Sequence, residues 1–429
     1  MLREKKSSCK RADCPIAHLA APAAWRTAYD VKSDIPPCTQ AMTMPTDLPS
    51  IPCQRALFDI PEGVAYFNCA YMSPLLRTAV AAGHQGVANK SQPWRVRPAD
   101  FFSLPDQARG LFAGLIGAQA DDIAIVGSAS YGIETALKNI RLQAGDKVLI
   151  CADEFPSNLY PLRRAARLAG ADIVTVARPQ DGDWTRAILA AIDAGSRLAV
   201  LSHCHWTDGG LIDLAAVRLA LDAHDGLLLV DATQSLGALP LDVAQVRPDF
   251  LVAATYKWLL GPYSLGFLYV APRWQDGQPL EENWANREAA HDFARLVDYR
   301  EGYAAGARRY DMGERANFVA LPMAMAALEQ ITAWQVPRIA HTLRSLTDSI
   351  AAQVAPWGLE AAPAHLRAGH FLGLRWPGTL PPSLPEQLAA AQVHASIRGP
   401  AIRITPHLYN HEGDVARLLE VLHAALRKA

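Results

Sequence analysis

Beyond residue 60 the chain alternates between short continuous apolar runs and longer stretches whose apolar residues recur every three or four positions. The short runs are Asp122–Val126, Lys147–Ile150, Asp172–Ala177, Leu198–Leu201, Leu227–Val230, Phe250–Ala253 and Ser264–Val270, with a briefer one at Val64–Phe67. Between them lie helical stretches over 76–90, 131–140, 159–169, 184–194 and 214–223. A continuous apolar run marks a strand buried on both faces, and a period near 3.6 marks a helix with one apolar stripe. Their alternation predicts βαβ units and a mainly parallel sheet covered on both faces. After about residue 315 the rhythm changes. A long helical stretch over 321–353, short strands near His370–Arg375 and Ala401–Thr405, and a final helix over 414–426 predict a smaller α+β domain.

The expected organisation is a disordered extension over 1–50, an N-terminal segment over 51–75, a large domain over 76–315 and a small C-terminal domain over 316–429. Residues 1–50 carry Pro15, Pro22, Pro36, Pro37, Pro45 and Pro49 and show no periodicity, a poor basis for a packed core. Met42 and Met44 sit just ahead of the first folded segment and suggest a start site there. The formal net charge of -1 gives no electrostatic reason to expect nucleic acid or an anionic membrane as partner. No apolar run approaches the ~20 residues that span a bilayer, and the first residues lack a secretory apolar stretch. A cytoplasmic protein is expected. The 7 cysteines are irregularly spaced and read as free thiols in a reducing compartment. Cys9, Cys14 and His18 make only an incomplete zinc pattern, so no metal is expected.

The candidate chemistry sits where the strands end. Leu227–Val230 runs into Asp231-Ala-Thr-Gln234, and Phe250–Ala253 leads to Thr255-Tyr256-Lys257-Trp258. Doubly wound sheets bind ligands beyond the carboxyl ends of their strands. Apolar surroundings lower a lysine pKa toward the neutral amine that forms a Schiff base. A buried carboxylate needs a partner for its charge. Pyridoxal 5'-phosphate (PLP) meets both needs: its aldehyde takes Lys257, and its pyridinium N–H pairs with Asp231, which makes the ring an electron sink. Gln234 is placed to reach the ring's phenolic oxygen. Gly127-Ser-Ala129-Ser130 joins a strand to a helix, where backbone N–H groups and the helix end favour a phosphate. The plain alternative is a capped turn. Neither a dinucleotide GxGxxG nor a Walker GK[ST] occurs. Phe155, after the strand 147–150, reads as a core aromatic or as a ring stacked on a flat cofactor. His203 and His205 share one side of a strand and could converge on a metal, the less favoured reading.

Over about residues 60–425 the chain resembles the class V aminotransferase family of fold-type I PLP-dependent enzymes, which includes cysteine desulfurases, kynureninases and isopenicillin N epimerases. The resemblance rests on Asp231-Ala-Thr-Gln234, Ala254-Thr-Tyr256-Lys257 and Ile402-Arg403-Ile-Thr-Pro-His-Leu-Tyr409-Asn410. It implies an α/β fold with a mainly parallel seven-stranded sheet in the large domain, and a homodimer. It implies that Lys257 holds PLP, Asp231 pairs with the pyridine nitrogen, Gln234 contacts the phenolic oxygen and Thr233 lies against the ring. Ala129, Ser130 and Tyr256 would contact the phosphate. Arg403 would grip the α-carboxylate of an amino acid substrate, a task suited to a bidentate guanidinium, with Asn68 and Trp206 beside it.

Departures from the family pattern narrow the reading. Phe155 stands where desulfurases stack a histidine, as in kynureninases, and no cysteine follows Cys204 to act as a desulfurase nucleophile. Trp206 falls where desulfurases carry an asparagine. Glu314 replaces a Thr or Ser that reaches the partner subunit's phosphate, and Arg315 is the candidate to take over that contact. The leading expectation is an aminotransferase acting at the Cα of an amino acid. A kynureninase-like lyase, a C–S lyase or an epimerase is the alternative. A non-catalytic PLP-fold module is a further reading, set against the joint presence of Lys257, Asp231 and Arg403. A nicotinamide dehydrogenase is disfavoured by the missing glycine fingerprint.

Overall fold

The computed structural model describes residues 48–427, all within one unit, Met44–Ala429. The extension expected over 1–50, with Cys9 and Cys14, lies almost wholly outside the described residues. A short strand, β1 (Ala65–Tyr66), precedes the strands of the large sheet: β2 (Ile123–Val126), β3 (Lys147–Cys151), β4 (Asp172–Val176), β5 (Ser196–Ser202), β6 (Leu227–Asp231), β7 (Phe250–Ala254) and β8 (Gly266–Val270). The seven-stranded sheet has the order β2-β8-β7-β6-β5-β3-β4. β8 runs antiparallel to both its neighbours, β2 and β7, and the remaining pairs are parallel. Every residue of β2, β6, β7 and β8 is buried, which is why these strands read as unbroken apolar runs.

Helices cover both faces. They are α1 (Arg77–Lys90), α2 (Asp100–Ile116), α3 (Ala129–Asn139), α4 (Pro156–Ala169), α5 (Trp184–Ala191), α6 (Leu214–Asp222) and α7 (Val243–Val246). Successive strand residues point to opposite faces. Val148 and Ile150 therefore pack with Ile133 and Leu162 of α3 and α4, while Leu149 and Cys151 pack with Ile188 and Val217 of α5 and α6.

Two elements differ from the sequence expectation. The helix α2 was not anticipated, because Pro105 and the polar stretch after it break the apparent period. Its buried positions Pro105, Ala108, Arg109, Phe112, Ala113 and Ile116 nevertheless follow helical spacing, and Phe112 stacks on Phe267 of β8 at 4.5 Å. The single helix expected over 321–353 is two: α8 (Ala320–Trp334) and α9 (Val336–Val354). Pro337 cannot continue the first helix, since it lacks an N–H and crowds the preceding turn. Gln335 takes a left-handed φ of 67° at the break.

Beyond α9 come β9 (Glu360–Ala361), β10 (Leu372–Arg375), α10 (Leu384–Ala390), β11 (Val393–His394), β12 (Ser396–Arg398), β13 (Ala401–Ile404) and α11 (Glu412–Leu426). The four-stranded order β12-β13-β10-β9 is antiparallel throughout. Ile402, Ile404, Leu372 and Leu374 form one core with Ile350 of α9 and Leu418 and Leu422 of α11. α8 packs instead on α1 and α2, and its Leu321, Ala324 and Leu328 join the core beneath the large sheet. β1 pairs with β11, and Asn68 bridges to Thr405. The chain ahead of α1 is thereby tied to the small sheet.

Candidate active site

β6 and β7 are neighbours, and Asp231 stands opposite Val252 in their register. The turn after β7 carries Lys257 to the same end of the sheet. Burial is the main reason the Lys257 ammonium titrates low, at about 8; nearby Asp231 opposes that shift and Arg403 reinforces it. The amine lies 5.5 Å from the centre of the Phe155 ring and 5.4 Å from that of Tyr256. Among the described residues it forms no ion pair.

Asp231 is held from behind. Asn158 Nδ2, on the first turn of α4, donates to its Oδ2 at 3.1 Å, and the Thr233 backbone N–H donates to its Oδ1 at 3.0 Å. Thr233 Oγ1 accepts from Ala254 N at 3.2 Å, fastening the end of β7. Asn158 also reaches a second acid, Glu154, at 3.4 Å. Glu154 Oε1 accepts from Phe155 N at 2.7 Å and from Ser202 Oγ at 3.3 Å. Burial, with Asp231 adding to it, pushes the Glu154 carboxyl up to about 7. Two carboxyls that share a buried site resist ionising together, which adds to the upward shift of Glu154.

The Gln234 side chain is largely committed. Its Oε1 accepts from Trp258 Nε1 at 3.1 Å and its Nε2 donates to Ala70 O at 3.1 Å. One amide N–H remains for a ligand.

The turn after β2 carries the candidate anion contacts, Ala129 and Ser130. Ser128 caps α3, its Oγ accepting from Tyr131 N at 3.1 Å, and lies 2.9 Å from Ser130 Oγ. The N–H groups of Ala129 and Ser130 occupy the first turn, where an α-helix leaves donors unsatisfied. A buried ion pair braces this turn. Asp311 accepts from Arg109 Nη1 at 2.8 Å and Nη2 at 2.5 Å and from Ile125 N at 2.8 Å. Met312 N donates to Ile125 O at 2.9 Å. Arg315 is turned inward, with Nε 3.0 Å from Asp311 and its guanidinium 5.2 Å over Phe102.

On the side of the small sheet, Arg403 projects from β13 and donates from Nη1 to Trp206 O at 2.9 Å. Its guanidinium lies 6.0 Å from the Trp206 ring and 5.8 Å from that of Phe371. It is buried, and no acid pairs with it among the described residues. Burial, helped by nearby Arg398, lowers its pKa to about 10. Trp206 meets Phe155 edge-on at 5.5 Å and donates from Nε1 to Asp153 O at 2.6 Å. Asn68 Oδ1 accepts from Ser396 Oγ. Lys257, Asp231, Thr233, Gln234, Tyr256, Phe155, Trp206, Asn68 and Arg403 thus converge, with Ala129 and Ser130 just beyond β2, which β8 separates from β7.

A clamp that sequence reasoning missed holds the Trp206 loop. Asp208 Oδ2 accepts from Arg178 Nη1 of the large domain and from Arg375 Nη2 of β10 at 2.8 Å. The loop presses so closely on β10 that a Cβ on Gly373 would lie 2.6 Å from Asp208 Cβ. Glu154 and Asn158 were also missed as site residues. The usable signal was a Glu and an Asn flanking Phe155 in the first turn after a buried strand. His205 does not turn toward His203: its Nε2 donates to Ala152 O at 2.9 Å and its ring stacks on Trp184 at 4.9 Å.

These residues fit PLP on their own chemistry. A desolvated amine lies beside an aromatic ring, a braced carboxylate stands near it, and backbone donors lie at a helix end. Fold and site together define a fold-type I PLP-dependent enzyme. The chain belongs to the aminotransferase class-V family, whose profile matches residues 84–354. It is 27% identical over 343 residues to the uncharacterized aminotransferase YcbU of Bacillus subtilis, covering 74% of this chain and 82% of that one. It is 28% identical over 393 residues to a kynureninase of Deinococcus radiodurans, covering 87% of this chain and 92% of that one. The fold matches the apo cysteine desulfurase of Thermococcus onnurineus with a TM-score of 0.77 at 18% identity, covering 89% of this chain and all of that one.

Proposed function

We propose that the protein is an aminotransferase that binds PLP at Lys257 and acts at the Cα of an amino acid. The observation that carries this reading is the pairing of buried Lys257, with its lowered pKa, and buried Arg403, which has no acid of its own among the described residues. Bound PLP supplies an electron sink for the pair left at Cα when its proton departs. Arg403 orients the substrate α-carboxylate through two parallel N–H···O bonds. Once the substrate amine has displaced it, the Lys257 amine would move the Cα proton as general base, a task suited to a base titrating near neutrality. Asp231, fixed by Asn158 and Thr233, holds the pyridine nitrogen protonated. Phe155 and Trp206 flank the reacting atoms and exclude water.

Phe155 beside the Lys257 amine, together with the kynureninase and isopenicillin N epimerase relatives, supports a PLP-dependent lyase or an epimerase as the second reading. A homodimer in the cytoplasm is part of the proposal. The exposed Trp284, Val297 and Tyr299 on the long excursion after β8 support a protein contact, and the free cysteines Cys53, Cys69, Cys151 and Cys204 suit a reducing compartment.

The test is the visible spectrum of the purified protein with PLP, before and after a panel of amino acids. A band lost on adding an amino acid and restored by a 2-oxo acid supports transamination. A band that returns by itself while product accumulates supports the lyase or epimerase reading. No band with added PLP refutes the proposal.

A further inference from the structure

The small sheet turns one face toward the active site, and its register shows what lines that face. Across β12, β13 and β10, Ser396, Arg403 and Gly373 stand side by side in one row. The next row is Arg398, Ala401 and Arg375. Alternate strand residues share a face, so Arg398, Arg375 and Arg403 lie on the same side. The intervening Ile397 and Ile402 point to the small-domain core. Arg398 is the diagonal neighbour of Arg403, at the ~7–8 Å separation that long side chains bridge.

The three arginines are not equally satisfied. Arg375 is bound to Asp208. Arg403 and Arg398 form no ion pair among the described residues. Arg398 is half-buried and donates from Nη1 to Ile397 O at 2.8 Å. That leaves most of the five N–H donors of its guanidinium for a ligand. Ala401, between Arg398 and Arg375, puts only a methyl group on this face. Arg398 is also the one charged group that adds to burial in lowering the Arg403 pKa. Two like charges side by side at a partly desolvated surface repel, and an anion between them reverses the sign of that interaction.

We propose that Arg398 and Arg403 together select an amino acid substrate with a second carboxylate: Arg403 takes the α-carboxylate and Arg398 the side-chain carboxylate. This rests on the reading of Lys257 and Arg403 as the reaction centre. It makes Arg398 a specificity-determining residue, and the substrate class a dicarboxylic amino acid.

The experiment uses the PLP-loaded enzyme. Its visible band is titrated with L-aspartate, L-glutamate and L-2-aminoadipate, and with the neutral counterparts L-asparagine, L-glutamine and L-norleucine. The half-saturating concentration is a binding readout, taken alongside kcat/KM. At least one diacid should bind wild-type enzyme about tenfold or more tighter than its neutral counterpart, the scale of a charge-assisted hydrogen-bonded pair. Arg398→Gln should abolish that preference and leave the neutral affinities within about twofold, and Arg398→Lys should keep part of it. Wild-type enzyme that binds neutral amino acids as tightly as diacids overturns the proposal and leaves the PLP reading intact. So does an Arg398→Gln variant that weakens both classes equally. A protein that shows no visible band with PLP overturns both.

Discussion

Removing the Asp311 carboxylate should unfold the brace behind the phosphate turn. Asp311 and Arg109 are both fully buried, and Arg315 is 5% exposed. One carboxylate serves two guanidiniums and the Ile125 N–H. Breaking a buried pair from one side costs about 3–5 kcal/mol, because the remaining charge has no water and no partner. The orphaned Ile125 N–H adds about 1–3 kcal/mol. Arg109 keeps a contact of 3.3 Å with half-exposed Asp106 and a hydrogen bond to Ile123 O at 2.7 Å, which offset part of the loss. Asp311→Ala should therefore lose about 4 kcal/mol, a large share of an ordinary stability of about 5–15 kcal/mol. Urea unfolding of the PLP-free protein, wild type against variant, measures it. The double variant Arg109→Met, Asp311→Leu should recover part of the loss, since it removes one of the two stranded guanidiniums and leaves only Arg315 without its carboxylate. A loss under about 1 kcal/mol, or a double variant no better than the single one, would refute the reasoning.

The remaining predictions concern the ring, the loop and the cap. Glu154 binds its proton more tightly in the folded protein, at about 7 against 4.5 in the unfolded chain, so the native state carries the extra proton in that window. Stability should then fall as pH rises from about 4.5 to 7, and Glu154→Gln should flatten that part of a pH-dependent unfolding curve; an unchanged slope contradicts it. Gly373→Ala would set a Cβ 2.6 Å from Asp208 Cβ. The Trp206 loop must shift, at a cost of about 1–3 kcal/mol, so KM should rise about tenfold with PLP affinity unchanged; steady-state kinetics beside a PLP titration separates the two. Ser128→Ala removes the cap of α3 and should cost about 1 kcal/mol of stability and weaken PLP retention, read by dialysis and absorbance.

The sheet was legible because its strands are buried on both faces, so each appears as an apolar run that no surface helix imitates. Lys257 and Asp231 stood out because ionisable residues at the ends of such runs have few structural uses, whereas Arg403, inside β13, stood out only through the family resemblance. The clamp of Arg178, Asp208 and Arg375 was not legible. It joins Arg178, the Trp206 loop and β10, and nothing in local spacing marks a contact between residues so far apart along the chain. Glu154 and Asn158 lie within a few residues of Phe155, yet their meeting with Asp231 depends on β3 and β6 both flanking β5. The break at Gln335 was hidden by apolar periodicity that continues through Pro337.

The most direct test of the central claim is the site of covalent attachment. The PLP-loaded protein is reduced with borohydride, digested and mapped by peptide mass spectrometry. The account predicts a phosphopyridoxyl group on Lys257 and on no other lysine, and none on the Lys257→Ala protein. Attachment at another lysine, or none at all in a protein that shows the cofactor's visible band, would contradict it.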